Sequence, residues 1–351
     1  MNIVIIEQFY KAENIRKKSI LLSLAVLVIS LACLCDLPFT VIERISSTLD
    51  ETESASNSSP SACSGDSCLD ACLVRINKVL KPENADLYVA QGDLYESYDL
   101  ASYLVYDGEL GRVNTYNVPD NLLEIQEDYV TQERIWEYAS SLLPAEDLRM
   151  INQYLVYTDG SDNELAYVYY DDKLGRTTWM LAVDVVDANQ PVQLTHTLVH
   201  EFGHLITLNA DQIPEGSDYW GWDQEESGCD TFTYYYGCTN EDSYINLFYE
   251  AFWVDIFPDW KRIVGDPSEE LEDYDEDAVA EFYEMYPDQF VDDYAPTEIG
   301  EDIAESFEFF VLKAKPDGDS IAEQKILFFY QFPELVELRD QMIQSICAFE
   351  G

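Results

Sequence analysis

The histidines of this chain are confined to one short segment, and their spacing is typical of a metal site. All 3 lie within LTHTLVHEFGH, at positions 196, 200 and 204. Residues 200–204 form an HExxH motif, in which residues four apart share one face of a helix. Two imidazoles can then bind one Zn²⁺, and the glutamate beside the first can take a proton from metal-bound water. We therefore predict zinc ligands at His200 and His204 and a general base at Glu201.

His196 is not predicted to be a ligand. It precedes His204 by two helical turns or more, which is about 12 Å along a helix axis. Zinc–nitrogen bonds of about 2.0–2.1 Å do not bridge that span from one straight helix. We place His196 one turn before the site, either as a hydrogen-bonding residue outside the ligand set or as an exposed helix residue.

The third ligand is expected to be a carboxylate, because no other histidine exists and the cysteines are expected to pair. The segment YAPTEIGEDIAESFEFF holds Glu301 and Glu305 one helical turn apart. If Glu301 binds zinc, Glu305 on the same face can accept a hydrogen bond from a ligand imidazole. The alternative is that Thr297 caps this helix and both glutamates face water near its positive end.

The spacing of apolar residues predicts the helix and the strands that must position these residues. Leu194, Leu198, Phe202, Leu205 and Ile206 form one apolar stripe at helical spacing, so the histidine segment is predicted to be a helix with the imidazoles opposite that stripe. Upstream, ELAYVYYDD and TTWMLAVDVV are joined by KLGR and indicate a β-hairpin.

Outside the hairpin and the histidine segment the pattern is mainly helical, both upstream and downstream. Helices are expected over residues 69–80, 122–143, 244–256, 278–285, 298–314, 321–330 and 334–346. Strands followed by helices predict an α+β fold, with a small mixed sheet that has the hairpin at its edge, then the active-site helix, then a mainly helical C-terminal half.

HEFGH followed by Tyr294 and EDIAE resembles the gluzincin metallopeptidases, particularly the anthrax lethal factor catalytic domain and the Pro-Pro endopeptidases, and most closely the exported bacterial zinc-binding metallopeptidases. The similarity covers residues 194–208 and 290–312. It implies a zincin-like single domain with His200, His204 and Glu301 on zinc and Glu201 as base. It also implies that Tyr294 stabilises the oxyanion.

The function expected from these patterns is that of an exported, surface-tethered zinc endopeptidase that acts on a peptide or protein substrate. The resemblance further implies that an extended peptide aligns along strand 166–170. Two alternatives are a catalytically idle zinc-containing domain used for binding or cell-surface interaction, and a zinc hydrolase with a non-peptide substrate. The intact Glu201 argues against the idle domain.

The N-terminal region and the net charge limit location and partners. Basic residues 16–18 precede an apolar run at 19–35, which is typical of an export signal or a membrane anchor. SLAC at 30–33 resembles a lipoprotein signal, although Ser30 departs from it. We expect a signal or anchor over 1–35, a flexible acidic Ser/Thr-rich tether over 36–67 and one domain over 68–351. The net charge of −50 excludes nucleic acid, and it excludes membrane contact except through that anchor.

Cysteines and acidic residues raise two further expectations. An even set of cysteines follows the export segment and suggests disulfides: Cys63, Cys68, Cys72, Cys229, Cys238 and Cys347. Cys229 and Cys238 are the favoured pair, and zinc binding by the first three is disfavoured. The acidic composition suggests calcium as an additional structural ion. The segment DGSDNE at 159–164 is one candidate loop for it, although a polar hairpin turn explains that segment better.

Overall fold

The computed structural model describes most of the region after the predicted tether. Its described residues are 66–82, 96–160, 164–170, 176–214, 227–235, 237–265 and 275–350. All of them belong to one compact unit. The predicted anchor, the tether up to residue 65, Cys33 and Cys63 lie outside the described residues. Among the helices of the described part, none is long and apolar enough to cross a membrane.

The main sheet is mixed and has five strands: β1 Tyr98–Tyr106, β2 Glu109–Thr115, β3 Ile151–Thr158, β4 Ala166–Tyr170 and β5 Trp179–Asp184. Their spatial order is β2-β1-β3-β5-β4. β3 and β5 run parallel, and the other neighbours are antiparallel. The predicted pairing of 166–170 with the following strand is confirmed, and this hairpin forms one edge of the sheet.

The sheet corrects one interpretation of the sequence. The segment from Asp159 to Glu164 connects β3 to β4, but β5 lies between those two strands. That segment is therefore not a hairpin turn. A parallel neighbour such as β5 must be reached by a crossover, and here the chain passes through β4 before it returns beside β3.

Eleven helices occur among the described residues: α1 Asp66–Val79, α2 Leu123–Gln126, α3 Tyr129–Ser141, α4 Ala145–Leu148, α5 Pro191–Thr207, α6 Tyr244–Phe248, α7 Phe257–Ile263, α8 Glu276–Met285, α9 Ile299–Leu312, α10 Ile321–Phe329 and α11 Pro333–Ala348. Six of the eleven follow the short second sheet formed by β6 Thr233–Tyr234 and β7 Gly237–Cys238. The α+β architecture with a mainly helical C-terminal half is confirmed.

Two predicted helices are interrupted. The expected helix over 122–143 divides before α3, because Asp128 leaves the helical conformation and its side chain accepts a hydrogen bond from the Thr131 N–H, which starts a new helix. The expected helix over 244–256 ends as α6 at Phe248 and continues as one π-helical turn, Tyr249–Trp253.

The start of α9 also differs from expectation. Glu298, not Thr297, occupies the N-cap position. The Thr297 hydroxyl instead donates to the Tyr294 carbonyl within the preceding turn. The Glu298 carboxylate is buried and accepts hydrogen bonds from the hydroxyls of Tyr234 and Tyr235, each at 2.9 Å. The beginning of α9 is therefore held by the β6–β7 segment.

Two disulfides connect pairs of described cysteines. Cys229 and Cys238 are bonded, as predicted, and Cys72 in α1 is bonded to Cys347 in α11. Cys68 is also disulfide-bonded. These bonds leave no thiolate at Cys68 or Cys72 for a metal, so the disfavoured three-cysteine zinc site is not formed.

Candidate metal centre

Helix α5 carries the HExxH motif across the middle of the domain. Its predicted apolar stripe is confirmed, since Leu194, Leu198, Phe202 and Leu205 are fully buried. On the opposite face, His200 and His204 lie with their Nε2 atoms 3.0 Å apart. His200 is itself buried, so the imidazoles face the inside of the protein and not open solvent.

Gly203 allows α9 to pack directly against this face. A Cβ atom at Gly203 would lie 3.1 Å from Ala304 Cα and 3.3 Å from Phe307 Cδ1, both in α9. Such distances are tighter than ordinary packing contacts, so only a glycine allows this approach without a shift of the helices. The close crossing brings the acidic face of α9 to the two imidazoles.

Glu301 completes a set of three ligand atoms. Its Oε2 atom lies 3.1 Å from His200 Nε2 and 3.4 Å from His204 Nε2. Ligands of a tetrahedral zinc with bonds of about 2.0–2.1 Å are about 3.3–3.4 Å apart. Two imidazole nitrogens and one carboxylate oxygen at 3.0–3.4 Å therefore fit one zinc ion.

Glu201 lies next to the same three atoms but has a different partner. One of its carboxylate oxygens is within 4.8 Å of nitrogens of His200 and His204. Its Oε2 atom accepts a hydrogen bond of 2.8 Å from the backbone N–H of Val168 in β4. Glu301 is therefore the carboxylate closer to both imidazoles, whereas Glu201 is held by the strand.

Carboxylates on α9 contact the imidazoles of α5 in an antiparallel series. Glu305 Oε1 lies 2.8 Å from His200 Nδ1, on the side of the ring away from Glu301. One turn earlier in α5 and one turn later in α9, Glu308 Oε1 lies 2.6 Å from His196 Nδ1. The structure thus places Glu305 behind a candidate ligand and gives His196 a different carboxylate partner. His196 links the two helices outside the candidate ligand set.

Tyr294 lies beside the site in the segment before α9. Its ring centroid is 6.1 Å from that of His200, and the residue is 45% exposed. The negative charge of Glu301 raises the pKa of its hydroxyl well above the ordinary value, so the hydroxyl keeps its proton. A protonated phenol at the rim of the site is a hydrogen-bond donor.

Helix α9 is anchored from its far side by a buried ion pair. Lys325 Nζ lies 2.6 Å from Asp302 Oδ2, and Trp253 Nε1 donates to the same oxygen at 2.6 Å. Asp302 and Lys325 are both completely buried. Because Asp302 follows Glu301 directly, these contacts fix the rotation of α9 that presents Glu301 to the imidazoles.

The site holds more carboxylates than imidazoles. Burial lowers the pKa of His200, but contact with Glu301 and Glu305 outweighs burial and holds this pKa well above its usual range. Burial raises the pKa of Glu301, but the two histidines outweigh it and hold that pKa below its usual range. Burial raises the pKa of Glu201. An excess of buried negative charge around two imidazoles is the environment that a divalent cation stabilises.

Some residues at the site were not predicted from the sequence. The Val168 N–H gives no sequence signal, because its role depends on where β4 crosses α5. Asp292 is also new: burial and the nearby Glu305 carboxylate raise its pKa to about 7. Glu308 continues the helical spacing of Glu301 and Glu305, and this spacing is a signal that the sequence does carry.

Comparison of the chain with protein families, curated proteins and solved structures found no match.

Proposed function

We propose that this chain is a zinc-dependent endopeptidase of the gluzincin type. The observation that carries the proposal is the set of three atoms, His200 Nε2, His204 Nε2 and Glu301 Oε2, held 3.0–3.4 Å apart on two packed helices. The resemblance of HEFGH and EDIAE to the gluzincins supports the same ligand set. Bound zinc supplies a water of lowered pKa and polarises the carbonyl of the scissile bond.

We further propose that the fold is zincin-like. Support comes from a mixed sheet whose edge strand β4 runs antiparallel to its neighbour and packs against the motif helix α5. The second helix, α9, contributes the glutamate ligand across a glycine contact. These features support a zincin-like fold.

Glu201 is proposed to act as the general base. The Val168 N–H holds its Oε2 atom, which fixes the carboxylate plane and leaves Oε1 to take a proton from water at the site. Burial raises the pKa of Glu201, and a raised pKa favours a carboxylate that both accepts and returns a proton. The same oxygen can then deliver the proton to the departing amine.

The outer edge of β4 is proposed to bind the peptide substrate. Val168 gives its N–H to Glu201 and not to Leu181 opposite, so this is a non-hydrogen-bonded pair of the β4–β5 ladder. Alternation then directs the backbone groups of Ala166, Val168 and Tyr170 away from β5. A substrate strand can add to this edge beside the Val168 N–H, which Glu201 occupies, with its scissile bond near the imidazoles. Tyr294 would donate a hydrogen bond to the oxyanion.

Export and tethering to the cell surface remain part of the proposal. They depend on residues 1–35 and 36–67, of which only Asp66 and Ser67 are described. The disulfides of the domain are consistent with an oxidising location.

The test is digestion of a broad peptide library by the purified full chain and by Glu201→Gln, both with zinc content measured. We expect the wild type to cleave and Glu201→Gln to bind the same amount of zinc with cleavage lowered by at least about a hundredfold. Wild type that is fully zinc-loaded and cleaves no peptide would instead support the idle binding domain. Cleavage by Glu201→Gln at the wild-type rate would remove Glu201 from the mechanism.

A further inference from the structure

Three aspartates outside the proposed zinc centre are buried together where β3 and β5 end. Asp159 directly follows β3, Asp184 is the last residue of β5, and Asp187 lies in the turn that leads into α5. Because β3 and β5 are parallel, their carboxyl ends meet at one edge of the sheet. The three residues are 8%, 0% and 7% exposed, and one ligand oxygen of each lies within 4.8 Å of the others.

Hydrogen bonds reach only some of the carboxylate oxygens of these three aspartates. Asp184 accepts three backbone N–H groups, from Asp159 at 2.7 Å, Val186 at 2.7 Å and Asp187 at 3.1 Å. Asp159 Oδ2 accepts the N–H of Glu164 at 2.7 Å. Asp159 Oδ1 and Asp187 Oδ2 are buried and have no hydrogen-bond partner among the residues that the structure describes.

No cation among the described residues compensates these charges. None of the ion pairs formed by the described lysines, arginines and histidines includes Asp159, Asp184 or Asp187. Buried carboxylates without a compensating positive charge are costly, and three carboxylates in one place repel each other. Burial and the charge of neighbouring carboxylates raise the pKa of Asp187 to about 6 and that of Asp184 to about 8.

We infer that Asp159, Asp184 and Asp187 form a calcium site. Ca²⁺ binds six to eight oxygens at about 2.3–2.6 Å, so two oxygens on one ion are at most about 5.2 Å apart. The three carboxylate oxygens fall within that limit. Carboxylates suit a hard cation, and the cluster contains neither the imidazole nor the thiolate that zinc prefers.

The position of the site gives the ion a structural role. It lies between the ends of two central strands, and Asp159 also holds the backbone of Glu164, two residues before β4. Asp187 belongs to the turn before α5. A calcium ion here would join the strand proposed to bind substrate to the helix that carries the histidines. The proposal does not depend on zinc chemistry, since none of the three aspartates belongs to the proposed zinc site.

The test uses the full chain, freed of metals with a chelator and then studied with and without one equivalent of zinc. Calcium binding is measured by isothermal titration calorimetry, and thermal unfolding is followed in CaCl₂ up to about 10 mM, above the dissociation constants of extracellular calcium modules. The variant is Asp159→Asn/Asp187→Asn. The matched control is Glu276→Gln/Asp277→Asn, which makes the same charge change at exposed positions of α8.

We expect wild type and control to bind one Ca²⁺ per chain, and the aspartate variant to bind it at least about tenfold more weakly. We also expect calcium to reverse the order of the melting temperatures of wild type and the aspartate variant. Without calcium the variant should melt higher than wild type, because like charges are removed, and with calcium it should melt lower. A variant that only folds poorly would melt lower in both conditions, and that outcome contradicts the proposal. Equal calcium dependence of wild type and variant, or no stoichiometric binding by wild type, also contradicts it.

Discussion

Glu305 offers a sharp test of whether His200 is a zinc ligand. Its Oε1 atom is 2.8 Å from His200 Nδ1. From this position a carboxylate can orient the imidazole so that Nε2 is left to bind metal. Glu305→Gln keeps the shape and an acceptor oxygen but removes the charge. Loss of such an outer carboxylate lowers metal affinity by about 10–100-fold, or about 1.4–2.7 kcal/mol. Because glutamine retains a neutral hydrogen bond, we expect the lower part of that range.

The matched control is Glu308→Gln. It removes the same charge from the same helix, and Glu308 Oε1 is 2.6 Å from an imidazole nitrogen, but that imidazole is His196. Long-range electrostatic effects on zinc affinity should therefore be similar in the two variants. Zinc dissociation constants are measured at one pH by competition with a chromophoric chelator. We expect Glu305→Gln to weaken zinc binding about tenfold more than Glu308→Gln does. Equal zinc affinities in the two variants would refute the assignment of His200 and Glu305.

Two further predictions concern the scaffold. Gly203→Ala should lower the free energy of unfolding by up to about 2 kcal/mol, because overpacking costs about 1–3 kcal/mol and the helix preference of alanine returns about 1 kcal/mol. Denaturation of the zinc-free protein checks this, and a variant at least as stable as wild type, with unchanged zinc affinity, would contradict the close helix contact. Replacing Cys72 and Cys347 by serine should lower the free energy of unfolding more than replacing Cys229 and Cys238 does. The first disulfide joins residues 275 positions apart, whereas the second joins residues 9 positions apart. Urea titrations of the two double variants give this comparison, and the reverse order would contradict it.

Local patterns in the sequence were sufficient for the elements that carry the motif. The stripe from Leu194 to Ile206 predicted α5 because helical period is a property of neighbouring residues, and the β4–β5 hairpin needed only two short runs and a turn. By contrast, β1 and β3 were not predicted. Their pairing joins residues about fifty positions apart, and nothing in either strand specifies its partner.

At the candidate site, too, residues close together in the sequence were predicted more readily than residues that only the fold brings together. The HExxH spacing by itself pointed to His200, His204 and Glu201, because all three lie within five consecutive residues. Glu301 was one of two interpretations of its helix, and the choice depended on how α9 packs against Gly203. The sequence suggested calcium and a loop that begins at Asp159, but it did not predict the aspartate cluster, since Asp159 and Asp184 come together only when β5 pairs with β3. Thr297 was a reasonable N-cap by type, but the N-cap is Glu298, one residue later, and the Glu298 carboxylate is held by two tyrosines.

The most direct test of the zinc site is the metal content and ligand environment of the full chain, with Glu301→Ala measured in parallel. Zinc per chain is determined after removal of loosely bound metal, and X-ray absorption at the zinc edge identifies the ligand atoms. We expect about one zinc per chain in wild type, with two imidazole nitrogens and carboxylate oxygen at about 2.0–2.2 Å. In Glu301→Ala we expect zinc to be lost under the same conditions. Zinc bound at full occupancy in Glu301→Ala, or wild type that binds none, would contradict the ligand set His200, His204 and Glu301.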